Sequence, residues 1–80
     1  MSFSKITEEY QLIRQNHLPV SSNTDVQKVR DYITRLRRAA SGFSGEQEST
    51  CLSLAEALEN AVNAGEEKLR IESLQRSFRK

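Results

Sequence analysis

Six apolar residues spaced three and four positions apart constrain this 80-residue chain more than any other feature. They are Val26, Val29, Ile33, Leu36, Ala40 and Phe43. Residues at these spacings lie on one face of an α-helix, whereas a half-buried strand alternates at every second residue. The run therefore predicts a long amphipathic helix with a narrow apolar seam. Because the seam covers only about two and a half heptads, we interpret it as the core stripe of a small bundle rather than as a coiled coil.

The few glycine and proline residues divide the rest of the chain into helical segments. Pro19 disfavours helix at Leu18, and Gly42 and Gly45 bracket a short connection. The predicted helices cover residues 4–15, 24–42, 46–64 and 66–78, approximately. The short connection makes the second and third helices antiparallel neighbours. The predicted fold is therefore all-α: a single domain over residues 1–80 that forms a small antiparallel bundle of three to four helices, with helices two and three as a hairpin.

Local signals predict where these helices begin and end. Thr24 and Gln27 match a capping box at the start of the second helix, and Ser44 and Gln47 match one at the start of the third. Gly42 is placed to adopt the left-handed conformation that commonly follows a helix end. We therefore expect Thr24 and Ser44 to be the N-terminal caps.

The pattern around Gly65 supports two interpretations. Leu69 continues the apolar line of Ala55 and Val62, which favours one long helix. Three later apolar residues do not continue the register of the third helix: Ile71, Leu74 and Phe78. A glycine inside a helix lowers the stability of the helix by only about 1 kcal/mol relative to alanine, so one long helix is the alternative interpretation. We favour a break or kink near Gly65.

The apolar stripes are expected to form the core or an interface with a partner. The residues assigned to this seam are Val26, Val29, Ile33, Leu36, Phe43, Leu54, Leu58, Ile71, Leu74 and Phe78. The stripe of the third helix is broader and richer in alanine than that of the second. Because small side chains permit close approach of helices, we expect a further element to pack there.

Charge is segregated along the sequence. Residues 24–43 carry five basic and two acidic side chains, residues 45–67 carry six acidic and no basic ones, and residues 68–80 carry five basic and one acidic. This alternation predicts that the basic second helix pairs with the acidic third helix. Exposed ion pairs contribute only about 0–1 kcal/mol each, so the pairing would select the topology more than stabilise it.

A basic helix is also compatible with binding to nucleic acid or to another partner. The candidate partner-binding residues are Arg30, Arg35, Arg37, Arg38, Arg76 and Arg79. In the alternative function, a nucleic-acid-associated transcriptional regulator would use the basic face of the second helix and the basic C-terminal tail. The net charge of +1 and the neighbouring acidic run weigh against it. Binding of the tail to a membrane surface is a weaker alternative.

The sequence offers little for chemistry at a site. One cysteine and one histidine cannot supply a structural zinc site or an internal disulfide, so no metal or cofactor is expected. No catalytic residue and no small-molecule substrate is indicated, because the chain has no glycine-rich phosphate loop and no base beside Cys51. No transmembrane segment or signal peptide is predicted. We expect a non-enzymatic protein in the cytoplasm.

The size of the chain points to a function in binding. A core of this size rarely supplies more than about 3–5 kcal/mol, so a protein partner or self-association is the expected supplement. The leading hypothesis is a small protein-binding module acting through helical apolar surfaces. It would serve as an adaptor, regulator or small chaperone, as a homodimer or within a complex.

Overall fold

The computed structural model describes residues 2–78, which form three α-helices. Helix α1 covers Phe3–His17, α2 covers Asn23–Ala40 and α3 covers Glu46–Phe78. Helices α2 and α3 pack along each other as a hairpin, and α1 packs mainly against α2. The predicted all-α helical hairpin bundle is confirmed.

The core lies between the three helices and follows the seam of α2. The buried residues of α2 include Val26, Val29, Ile33, Leu36 and Ala40, and they meet Ile6 of α1 and Cys51, Ala55, Leu58 and Val62 of α3. Phe43 is partly buried, and its ring meets that of Phe3 edge to face with centroids 5.8 Å apart. The two rings close the end of the bundle where α2 turns into α3.

Tyr32 is a core residue that the spacing of the seam did not identify. Its side chain is buried, and its hydroxyl donates a hydrogen bond of 2.7 Å to the carbonyl of Ile6. A buried hydroxyl needs such a partner. Burial raises the pKa of Tyr32 to about 12, so the hydroxyl keeps its proton and joins α2 to α1.

The start of α2 differs from the predicted capping box. The cap is Ser22, whose hydroxyl accepts a hydrogen bond from the Asp25 N–H, and the prediction of Thr24 is wrong. The carboxylate of Asp25 in turn accepts from the backbone and side chain of Ser21. Because this carboxylate reaches back ahead of the helix, it fixes the first turn two residues earlier than Thr24 and Gln27 would.

The turn between α2 and α3 also differs from the prediction. Helix α2 ends at Ala40, and the glycine with positive φ is Gly45, at 62°, not Gly42. The Ser49 N–H donates to the Gly45 carbonyl, so α3 begins directly after Gly45 and the predicted cap at Ser44 is wrong. The left-handed conformation therefore occurs where the chain enters α3, and glycine adopts it without steric cost. Gly42 instead lies in a tight turn, in which its N–H donates a hydrogen bond to the Ala39 carbonyl.

Helix α3 continues through Gly65, so the predicted break and the separate helix over 66–78 are wrong. A Cβ atom at Gly65 would lie 2.5 Å from the Cβ of Val20, in the linker between α1 and α2. Glycine is therefore present because the linker crosses α3 at that point, not because the helix ends there. Its 33 residues make α3 about 50 Å long, against about 27 Å for α2.

The greater length of α3 explains the change of register after Gly65. Helix α2 is too short to cover the C-terminal turns of α3, and Ile71 and Leu74 are 44% and 52% exposed. They do not belong to the core of the chain, and their assignment to an interface stays a prediction. The side chain of Phe78 lies outside the described residues.

Candidate functional site

A groove of about 850 Å³ opens between α1 and α3. It exists because α1 packs on α2 and touches α3 only sparsely, which leaves a space between these two helices. Three elements line it. They are α1, with Tyr10, Gln11, Arg14 and Gln15; the linker, with Leu18, Pro19 and Val20; and α3, with Ala57, Leu58, Ala61, Ala64, Gly65 and Lys68.

The floor of the groove is made of small side chains on α3. Ala57, Ala61 and Ala64 follow at spacings of four and three, so they share one face of the helix. Ala57 and Ala64 are exposed, and Ala61 is half-buried. No element within residues 2–78 fills the space above them. The face of α3 that carries Ala57, Ala61 and Ala64 is therefore uncovered within residues 2–78.

The α1 wall of the groove combines an aromatic ring with a cation. Tyr10 is half-buried against the core, and the guanidinium of Arg14 lies 5.7 Å from the centre of its ring. This distance is within the range of a cation–π contact, which orients Arg14 along the wall. Gln11 and Gln15 add neutral hydrogen-bonding groups that remain exposed.

The linker wall is held by a cluster of hydrogen bonds around Asp25. His17 Nδ1 and Asp25 Oδ1 lie 2.9 Å apart, and Ser21 donates to Oδ2 from both its N–H and its hydroxyl at 2.9 Å. The hydrogen bond from His17, followed by those from Ser21, holds the pKa of Asp25 well below its usual range. The last residue of α1 is thereby joined to the first turn of α2, which keeps Val20 against Gly65.

The hydrogen bonds among His17, Ser21 and Asp25 form a clamp on the linker and not a catalytic triad. A Ser-His-Asp triad needs the serine hydroxyl hydrogen-bonded to the histidine. Here the Ser21 hydroxyl donates to Asp25 instead, and His17 also points to that carboxylate. The carboxylate receives three hydrogen bonds and orders the linker.

Three of the four candidate arginines on α2 contact acidic side chains of neighbouring helices. Arg30 donates to Glu66 at 2.7 Å and to Asn63 at 3.3 Å, and Arg37 forms an ion pair with Glu59. These pairs lie along one edge of the α2–α3 interface, as the segregated charges predicted. On the opposite edge Arg35 lies 3.4 Å from Glu9 of α1, a contact that the sequence did not indicate.

The remaining candidate arginines lie elsewhere on the molecule. Arg38 is exposed near the end of α2. Arg76 lines a smaller pocket, of about 450 Å³, formed by the C-terminal part of α3 beside Asn23. Arg79 lies outside the described residues. The structure does not bring Arg38 and Arg76 together with the three paired arginines, and the assignment of all six to partner binding stays a prediction.

The other reactive groups are held in structural positions. Cys51 is a free thiol buried in the core, and burial raises its pKa, which disfavours the reactive thiolate. In the part of the chain that the structure describes, no three histidine, cysteine or acidic side chains come close enough together to hold a metal ion.

Comparisons with known proteins give no relative from which a role can be transferred. The sequence matches no family model and no curated protein, and no solved structure matches the chain. Among the helices formed by residues 2–78, none is both long enough and apolar enough to cross a membrane. The function is therefore inferred from the groove.

Proposed function

We propose that this protein is a small, non-enzymatic protein-binding module that takes up a helix of a partner in the groove between α1 and α3. The observation that carries the proposal is the floor of Ala57, Ala61 and Ala64, left uncovered by the rest of the chain. Small residues allow the axis of a further helix to approach closely. Such a module would act as an adaptor, regulator or small chaperone.

The dimensions of the groove suit a short helical segment. Ala57 and Lys68, its first and last lining residues on α3, are separated by about 16 Å of helix, or three turns. A partner helix of three turns would match this length and leave one face in water, because the groove is open to solvent.

The size of the core supports a role that depends on a partner. Eleven apolar residues of the described chain are buried, and α1 is attached mainly on one side. A helix in the groove would cover α1, the linker and α3 at once, adding apolar burial to a small core. We also expect a cytoplasmic protein, since its single cysteine is a free thiol.

The alternative, a nucleic-acid-associated regulator, has less support. Arg30, Arg35 and Arg37 each contact a carboxylate, which offsets part of the positive charge that would attract phosphates. The acidic partners would also remain beside the phosphates and repel them.

Blocking the groove tests the proposal. Ala64→Phe places a ring on the exposed floor, and Thr34→Phe places the same ring on an exposed position of α2 away from the groove. Each variant and the wild type would be used for affinity capture from the native source, with mass spectrometry. A protein retained by the wild type and Thr34→Phe but lost by Ala64→Phe supports the proposal. Equal retention by all three would refute it.

A further inference from the structure

We infer that the helix taken up by the groove is acidic: an amphipathic helix of a different protein, with carboxylates at the end that passes between Arg14 and Lys68. This inference rests on the proposed function and deepens it. The charged groups that line the groove within residues 2–78 are these two cations.

Topology places the two cations at the same end of the groove. Helices α1 and α3 both pack against α2, and α1 and α3 run parallel because each is antiparallel to it. Arg14 lies one turn before the end of α1, and Lys68 is the last residue of α3 that lines the groove. The positive charge is therefore concentrated where α1 ends, while the opposite end is neutral.

Neither cation is neutralised by the rest of the described chain. Arg14 rests on the ring of Tyr10, and neither it nor Lys68 forms an ion pair with a residue in the range 2–78. This differs from Arg30, Arg35 and Arg37, which contact carboxylates. Both side chains are exposed and can reach a carboxylate on an incoming helix.

The same charges disfavour the C-terminal segment of a second copy of this chain as the occupant. Ile71 and Leu74 are exposed in this segment, residues 68–80, which has five basic residues and one acidic residue. Docking that segment into the groove would bring like charges against Arg14 and Lys68. A partner helix with acidic flanks avoids this repulsion and gains charge complementarity.

The floor sets a second requirement on the partner. Ile71 is seven residues after Ala64, so it continues the face of Ala57 and Ala64 beyond Lys68. A partner longer than three turns would therefore meet alanines first, then Lys68, and then an exposed isoleucine. We expect a narrow stripe of alanine and leucine on the partner, with glutamate or aspartate flanking it near Lys68.

A displayed library of helical peptides tests the charge requirement. The probe is a peptide of about 18 residues, about 27 Å as a helix, with a fixed stripe of alanine and leucine and flanking positions drawn equally from Glu, Gln and Lys. It would be selected on the wild type, on Arg14→Gln/Lys68→Gln and on the matched control Lys5→Gln/Lys28→Gln. The control removes the same net charge from exposed positions outside the groove.

The expected result is enrichment of Glu over Lys on the wild type and on the control. An exposed ion pair lowers the dissociation constant by up to about fivefold, so two cations together give an enrichment of up to about 25-fold. The enrichment is expected to fall to near unity on Arg14→Gln/Lys68→Gln and to weaken in high salt. Circular dichroism of each variant checks that the helices are retained.

Four outcomes would overturn the inference, and they separate it from the proposed function. Equal selection of Glu, Gln and Lys by a wild type whose binding is lost in Ala64→Phe would refute the acidic partner but keep the groove as a binding site. Failure of every peptide to bind would refute the inference, and unchanged capture by Ala64→Phe would refute the proposed function as well. A homodimer by sedimentation that is abolished by Ala64→Phe would identify a second copy as the occupant.

Discussion

Two faces of α3 have similar side chains and opposite environments. On the face toward α2, Ala55 is buried together with Leu58 and Val62. On the face toward α1, Ala57 and Ala64 are exposed on the floor of the groove. The difference is set by the neighbouring helix: α2 packs along α3, whereas α1 contacts it only sparsely. Residue type alone therefore does not decide which stripe of a helix is covered.

The covered interface between α2 and α3 should lose the most stability when a large side chain is removed. Leu36 is fully buried at the centre of the α2 seam, so Leu36→Ala is expected to lower the free energy of unfolding by about 2–5 kcal/mol. Lys28→Ala, at an exposed position on the same helix, is expected to be nearly silent. Chemical denaturation measures both, and equal effects would contradict the assigned orientation of α2.

The same substitution on the two faces tests the comparison directly. Ala55→Phe forces a ring into the closed interface and is expected to cost about 1–3 kcal/mol or more. Ala64→Phe enters open space in the groove and is expected to cost only about 0.5 kcal/mol, from helix propensity. If thermal unfolding shows the two variants equally destabilised, the space above Ala64 is not open in solution, and the comparison of the two faces is wrong.

Gly65 lies at the border between the two faces, beneath Val20. Gly65→Ala would improve helix propensity by about 1 kcal/mol but places a methyl group 2.5 Å from the Cβ of Val20. We expect a net loss of about 1–2 kcal/mol in the free energy of unfolding. In a Val20→Gly background the collision is removed, so the same change should stabilise the protein. A double-mutant cycle in urea measures this reversal of sign, and its absence would exclude the contact.

The smallest effect on stability is expected at the clamp that holds the linker. The pKa of Asp25 is lowered in the folded state by His17 and Ser21, so its carboxylate stabilises the fold above the unfolded pKa of about 3.9. Asp25→Asn is expected to unfold at a lower temperature near pH 7. The difference from the wild type should shrink as pH falls below about 4, because the Asp25 carboxylate of the unfolded chain then takes up a proton while that of the folded chain stays ionised. Asp31→Asn is the control on the same helix, and a difference independent of pH would contradict the clamp.

The candidate site was predictable only in part. Leu58 and Ala61 of the alanine-rich stripe predicted on the third helix line the groove, whereas Ala57 and Ala64, its exposed floor, lie outside that stripe. The contributions of Tyr10, Arg14 and the linker could not be derived from the sequence. They depend on how α1 and the linker are placed beside α3, and a local pattern carries no information about that placement.

The sequence by itself determined the helical class and the seam of α2, because amphipathic periodicity depends on residues only three or four positions apart. It also predicted that the basic second helix pairs with the acidic third helix, and Arg30 and Arg37 do contact carboxylates of α3. Only the tertiary structure decided the role of Gly65, which depends on contact with Val20, far away in the chain. It likewise decided the exposure of Ile71 and Leu74, since α3 is longer than the helix that covers it. Local patterns specify which face of a helix is apolar, and the lengths and angles of the neighbouring helices specify which apolar faces are covered.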